Sequence, residues 1–288
     1  MRLRQFAKSL VMIYRSENAN RPAALMRHLF WQTKRFGARA PISVRLSRSI
    51  LMDDAAGGVI SEVNMLGLYN FNNMKLVQML LCDGGDFIDV GANIGAYTLI
   101  ASENAEARVV SIEPNPTAFR MLERNVNRNA RANVIAINIA ASKRPGVVRM
   151  TDKGSDPTNR IVSGESEGPM IEVTADTIDA ICALHGIVPR LIKIDVEGHE
   201  REVLEGAARH IGGALACIVE DGDRREVTEI MSNYFMRGPF YYNHRLAYLS
   251  RQAQRLREDS VYINRRFEDE YPHVRIDKPG DKLKTGHS

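Results

Sequence analysis

Phe87-Ile88-Asp89-Val90-Gly91-Ala92-Asn93-Ile94-Gly95 decides how the rest of the chain is read, because a buried-strand pattern ends there in a carboxylate and breaks into a glycine turn. A helix-like stretch from Ala96 to Ala105 follows at once. Strand, glycine turn and helix form the opening of a nucleotide-binding βαβ unit, where backbone approaches a ligand too closely for side chains. Dinucleotide enzymes favour G-x-G-x-x-G, whose glycines bring pyrophosphate onto a helix N-terminus. Here Asp89-x-Gly91-x-x-x-Gly95 has one glycine fewer and sets a carboxylate beside the turn. That carboxylate repels phosphate and attracts a cationic ligand.

S-adenosylmethionine is such a ligand, with a sulfonium, an amino group and no phosphate, so an acidic loop suits it on Coulombic grounds. Arg108 to Ile112 reads as the second strand, and Glu113 ends it before Pro114. That is about the 20-residue interval at which a carboxylate takes ribose hydroxyls. Asp89, Gly91, Asn93, Gly95 and Glu113 are therefore the candidate cofactor contacts. A helix from Pro116 to Asn129 and a strand from Asn133 to Ile139 continue the βαβ alternation, which predicts a doubly wound α/β domain with a mostly parallel sheet. Asn138 and Ser142, past the end of that third strand, are candidates to hydrogen-bond adenine. Gly146 to Thr151 and Met170 to Thr174 read as strands flanking a polar segment, Asp152 to Pro169, whose length fits either substrate contact or disorder.

Leu191-Ile-Lys-Ile-Asp-Val-Glu-Gly-His-Glu200 is the second chemical centre. Period-two alternation sets Lys193, Asp195 and Glu197 on one side and Ile192, Ile194 and Val196 on the other. Three charges on a central parallel strand are costly to bury, so they must pair, bind water or face a ligand. Asp195 and Glu197 are expected to line a transfer site, with His199 a third candidate for general base and Asp195 the most important of the three. A purely structural ion pair between Lys193 and Asp195 is the competing reading.

The segments Asp89 to Gly95, Ser111-Ile-Glu-Pro-Asn-Pro116 and Leu191 to Glu200 resemble the three signatures of FkbM-type methyltransferases, over roughly residues 57 to 267. The resemblance implies a class I, Rossmann-like fold with a seven-stranded sheet, S-adenosylmethionine as cofactor, and O-methyl transfer. It also implies an acceptor hydroxyl on a sugar, glycolipid, polysaccharide precursor or polyketide-like secondary metabolite. Members often carry Glu after an aromatic residue upstream of the first strand; this chain reads Gly67-Leu68-Tyr69-Asn70, so no role for that acid is carried over. Lack of an Asn/Asp-Pro-Pro-aromatic motif argues against methylation of an exocyclic base or amide nitrogen.

The 288 residues hold 44% hydrophobic and 26% charged residues, enough for one substantial core plus an appendage. The chain divides into a basic helical extension (1–40), a hairpin and lead-in helix (41–82), the methyltransferase domain (83–267) and a flexible polar tail (268–288). Residues 1–50 carry 11 Lys and Arg against the single acid Glu17, so the net charge of +4 hides a basic leader and an acidic remainder. Its apolar residues suggest two short amphipathic helices. Their apolar face packs on the catalytic domain or a second subunit of a homo-oligomer, lies on an anionic membrane surface, binds nucleic acid, or serves import into an organelle. The apolar run Leu10 to Tyr14 is far too short for a membrane span or secretory signal, which points to the cytoplasm, with the inner membrane surface as a peripheral site. Cys82, Cys182 and Cys217 read as reduced core thiols, and the His, Cys and carboxylate spacings predict no metal. The favoured partner is a small-molecule, glycan or lipid-linked acceptor. An RNA methyltransferase holding phosphates with its leader, and a noncatalytic adaptor, are the alternatives; the acids at both strand ends argue against the adaptor.

Overall fold

The computed structural model describes residues 22, 24–29, 42–54, 58–162, 164, 168–220, 224–251 and 259–277. It begins with a hairpin, β1 (Ile42–Leu46) and β2 (Ser49–Asp53), and two helices, α1 (Gly58–Leu66) and α2 (Phe71–Leu80). The alternating half follows as β3 (Gly85–Val90), α3 (Ala96–Ala101), β4 (Ala107–Ile112), α4 (Pro116–Arg128) and β5 (Val134–Ile137). A side sheet of β6 (Ala140–Ala141), β7 (Gly146–Thr151) and β8 (Met170–Asp176) interrupts the alternation. Then come α5 (Ile178–His185), β9 (Pro189–Ile194), α6 (Glu200–Glu205), β10 (Ala216–Val219) and α7 (Arg225–Asn233). The chain closes with β11 (Arg237–Asn243), β12 (Tyr248–Ser250), β13 (Ser260–Ile263), α8 (Arg266–Glu270) and β14 (Arg275–Ile276).

Among the described residues the main sheet has nine strands in the order β14-β12-β11-β13-β10-β9-β3-β4-β5, and β10, β9, β3, β4 and β5 run parallel. It is thus the expected mostly parallel sheet, extended from seven strands by the short β12 and β14. Successive residues on the central strands feed opposite cores. Phe87, Val109, Leu191 and Ile218 pack on one face, with Leu76, Leu80 and Leu99. Ile88, Val110, Ile192 and Cys217 pack on the other, with Ile181, Val203 and Met231. Burial on both faces explains why these strands read as unbroken apolar runs.

Several expectations are corrected. The seven-stranded sheet does not end at β13, which is antiparallel and lies between β10 and β11, with the β11–β12 hairpin continuing beyond it. Tyr271, Val274 and Asp277 are buried and β14 pairs with β12, so the described part of the polar tail, residues 268–277, is folded. Cys82 is exposed while Cys182 and Cys217 are buried, all three free, since Cys82 falls in the turn after α2 rather than in the core. Two helices, α1 and α2, stand where a single lead-in helix is expected.

The hairpin forms its own two-stranded sheet instead of joining the main one. Its outer edge is satisfied by side chains of α4 and of the residue that caps its C-terminus: Asn129 Oδ1 accepts from Ile50 N and Asn125 Oδ1 from Met52 N, both at 2.8 Å. The same amides donate back to the carbonyls of Ile50 (2.8 Å) and Met52 (2.9 Å), so two asparagines replace a neighbouring strand.

Of the basic leader, residues 24–29 are helical, Ala24 is buried with Met65 and Leu66, and Arg27 Nη2 donates to the Met65 carbonyl at 2.7 Å. A cation there satisfies the open carbonyls at the end of α1. The predicted first amphipathic helix lies outside the described residues. No helix among the described residues is long and apolar enough to cross a membrane.

Candidate active site

The chain leaves β3 for β4 and β5 on one side of the sheet, then returns to place β9 and β10 on the other. The order reverses between β3 and β9, and in open α/β sheets the crevice at such a switch point, beyond the strands' carboxyl ends, takes the ligand. Asp89 near the end of β3, Glu113 after β4, Asp195 after β9 and Glu220 after β10 all line one cleft there.

Asp89 is fully buried. Its Oδ2 accepts from Thr98 Oγ1 at 2.7 Å, and that hydroxyl is 2.8 Å from Ser111 Oγ. Its Oδ1 is buried without a hydrogen-bond partner among the described residues. Burial raises the Asp89 pKa, and the opposing charge of Lys193 limits the rise. A buried carboxylate oxygen at a cleft wall with no donor is the acceptor that a ligand's amino or hydroxyl group needs.

Glu113 holds the loops on either side of it. Its Oε2 accepts from Asn93 N and its Oε1 from Asn115 N, both at 2.8 Å, leaving each oxygen a further lone pair. Burial pushes its pKa up to about 7, against the lowering effect of those two amides. Asn93 reaches Glu113 by taking a left-handed φ of 50°. Asn115 then caps α4, its side chain accepting from Thr117 N at 2.8 Å and Ala118 N at 3.2 Å ahead of Pro116 at the first helical position.

The glycines have reasons within the protein. A β-carbon on Gly91 (φ 75°) would stand 1.7 Å from the Asp195 carbonyl oxygen, and one on Gly95 (φ 91°) 2.6 Å from Leu122 Cδ1. Gly91 is thus required by the approach of the β9 loop, not by a ligand, which modifies the expectation from the turn alone.

Across the cleft, strand β9 ends at Ile194, so Asp195, Val196 and Glu197 are in the loop and all three line the cleft, breaking the predicted alternation. Lys193 is 2% exposed, its Nζ lies 2.9 Å from Asp195 Oδ2 and 4.7 Å from the Tyr97 ring centroid. Burial alone disfavours the ammonium, but the carboxylates of Asp195, Asp89 and Asp259 outweigh it and raise the Lys193 pKa. Burial likewise works against the Asp195 carboxylate, yet Lys193 and a hydrogen bond from Glu220 bring its pKa down. Glu220 moves the opposite way, raised by burial and by the Asp195 charge. The two carboxyls are therefore pushed in opposite directions, Asp195 toward its charged form and Glu220 toward its neutral one. One oxygen each from Asp195, Glu197 and Glu220 lies within 4.8 Å of the others, near enough for a single divalent cation to span them.

Three sequence candidates stand elsewhere. Asn138 Nδ2 donates to the carbonyls of Glu113 (2.8 Å) and Pro114 (3.0 Å), bracing the acid's loop from behind. Ser142 Oγ and His199 Nε2 lie 3.1 Å apart in a neighbouring groove, with Lys143 and Glu202. Ser142 and His199, expected at the cofactor and the acceptor, do not line the cleft of Asp89 and Asp195, and Glu197 (φ 53°) and Gly198 (φ 99°) turn the chain before His199. Burial lowers the His199 pKa. Sequence reasoning did not single out Glu220, Tyr97 or Arg160. Only Glu220 had a legible signal: β10 ends in an acid, and its parallel register with β9 brings that acid beside Asp195.

The segment after β7 borders the same cleft through Asp156, Pro157, Asn159, Arg160 and Ile161. It is ordered by its own polar groups: Asn159 Nδ2 donates to the Gly154 carbonyl at 2.7 Å and Asp156 Oδ1 accepts from Thr158 N at 2.8 Å.

The family model described as the methyltransferase FkbM domain matches residues 89–256, more than half of the chain. The chain is 32% identical over 149 residues to the hexuronic acid methyltransferase AglP of Haloferax volcanii, covering 50% of this chain and 60% of that one. It is 25% identical over 146 residues to methyltransferase 1 of Beauveria bassiana, covering 43% and 59%. The chain thus spans about three fifths of the length of these curated relatives. Among solved structures, the S-adenosylmethionine-dependent methyltransferase from Agrobacterium tumefaciens is similar with a TM-score of 0.44 at 10% identity, over 66% of this chain and 58% of that one. TYW2 of M. jannaschii, solved with AdoMet, has a TM-score of 0.37 at 12% identity, over 70% and 76%.

Proposed function

The chain belongs to the FkbM methyltransferase family, and we propose that it transfers a methyl group from S-adenosylmethionine to an oxygen of a sugar, specifically a hydroxyl of a hexuronic acid. The observation that carries this reading is the meeting, in one crevice, of the Asp89 oxygen that lacks a donor among the described residues with the Lys193-paired Asp195. The residues fit the cofactor. Asp89 Oδ1 offers an acceptor for an amino group, and the spare lone pairs of Glu113 suit a ribose diol. The acidic walls favour a sulfonium over a phosphate. The sulfonium supplies an electrophilic methyl carbon; as that carbon bonds to the acceptor oxygen its bond to sulfur breaks, leaving a neutral thioether.

Asp195 is the group that takes the acceptor's proton. Lys193 favours the charged form of Asp195 and holds one of its oxygens at 2.9 Å, and the carboxyl lines the cleft, so it needs no reorganisation when the hydroxyl arrives. Glu220 beside it is pushed toward its neutral form by burial and by the Asp195 charge. A carboxylate acceptor would need no base and would be repelled by this group of acids, which favours a hydroxyl. The sugar assignment rests on the similarity to the hexuronic acid methyltransferase.

Incubation with S-adenosylmethionine and a panel of uronic acid glycosides, hexoses and short RNAs tests the proposal. The expected outcome is S-adenosylhomocysteine release with the uronides and a base-stable methyl ether as product. Release with RNA alone, or with no sugar at all, would overturn it.

A further inference from the structure

We propose that Arg160 is the specificity residue that binds the carboxylate of the acceptor sugar, orienting it so that a hydroxyl faces Asp195. This inference rests on the hexuronic acid reading above and adds to it the group that recognises the acid.

Two cationic side chains line the cleft among the described residues, Lys193 and Arg160. Lys193 is buried and committed to Asp195. Arg160 is different. Its side chain is exposed, and its guanidinium has no hydrogen-bond or ion-pair partner among the described residues, although Asp156 lines the same cleft. Asp156 is engaged elsewhere: Oδ1 accepts from Thr158 Oγ1 at 2.7 Å, and these bonds lower its pKa.

The backbone beneath Arg160 is fixed. Its N–H donates to Thr151 Oγ1 at 3.0 Å, its carbonyl accepts from Thr151 N at 3.0 Å, and the next residue, Ile161, bridges to Met150. A free guanidinium on an anchored stem is what bidentate carboxylate recognition requires. The remaining charge of the cleft reinforces the choice. Asp195 and Glu197 make its floor acidic, so an anionic acceptor is pushed outward to the cation at the rim. Its neutral hydroxyls are left to face the floor.

The test uses the full chain with a glucuronic acid glycoside and the corresponding glucuronamide glycoside, a neutral isostere. Wild type is expected to prefer the acid by about tenfold or more in kcat/KM, chiefly through KM, given the strength of charge-assisted pairs. Arg160→Gln should bring that ratio close to one, and Arg160→Lys should restore part of it. Titration of the glucuronide into protein saturated with S-adenosylhomocysteine should show the same loss of affinity in Arg160→Gln, while the affinity for S-adenosylhomocysteine itself stays at the wild-type value. An undiminished preference in Arg160→Gln would overturn the assignment. So would a base-labile methyl ester as product, because the carboxylate would then sit at the donor. Turnover of hexoses but not uronides overturns the Arg160 assignment and leaves sugar O-methylation standing, whereas failure with every sugar defeats the underlying reading as well.

Discussion

Asp195→Asn is expected to lower methyl transfer by about 10² to 10⁴, the range over which a positioned base contributes, with S-adenosylhomocysteine affinity little changed. Asparagine preserves shape, and its Oδ1 can still accept from Lys193 Nζ, 2.9 Å away in the native pair. What it removes is the charge that accepts the proton. The effect should appear in kcat with cofactor and acceptor saturating, since an interaction made in the transition state is the one lost. The pH profile adds a second readout. Asp195 is held below the usual carboxylate range by Lys193, so wild-type activity should persist into mild acid until that carboxylate protonates. Near-normal turnover in Asp195→Asn would remove Asp195 from the role of base.

Lys193→Met is expected to destabilise the folded chain by about 3 to 5 kcal/mol, as for a buried pair broken from one side. Lys193 is 2% exposed and its ammonium offsets Asp195 directly and Asp89 through the neighbouring strand. Its folded pKa is raised, so its contribution is fully present below the ordinary lysine value and is lost only as pH climbs through the higher folded one. The deficit should therefore be constant across neutral pH. Urea unfolding of both proteins measures it, and the double variant Lys193→Met/Asp195→Leu should recover part of the loss, because no charge of that pair is then stranded. A deficit below about 1 kcal/mol would show that the pair is solvated like a surface bridge.

The parts of this molecule legible in the sequence are those set by short-range pattern. The runs at Phe87, Val109 and Leu191 read as strands because both faces are buried, and the acids after them mark the sheet edge that carries the cleft. Asp89, Glu113 and Asp195 were legible for the same reason. Long-range relations were not. The Asp195 and Glu220 pair depends on register between β9 and β10, and the fate of His199 depends on two positive φ angles that no periodicity encodes. Asn125 and Asn129 look like ordinary helix residues until the hairpin edge they satisfy is known. Arg160 sits in a polar segment whose composition fits disorder as well as a wall of the cleft, and only its anchoring to Thr151 separates the two.

Calorimetric titration of S-adenosylhomocysteine and NADH into wild type and Glu113→Ala tests the central claim most directly, because it needs no knowledge of the acceptor. S-adenosylhomocysteine alone should bind wild type, more weakly as pH falls below about 7, where Glu113 takes up its proton and loses acceptor capacity. Hydrogen bonds to a charged group contribute about 1.5 to 3 kcal/mol, so the variant should bind at least about tenfold more weakly. Folded wild-type protein that binds NADH instead, or binds S-adenosylhomocysteine equally well without Glu113, would contradict the account of this cleft.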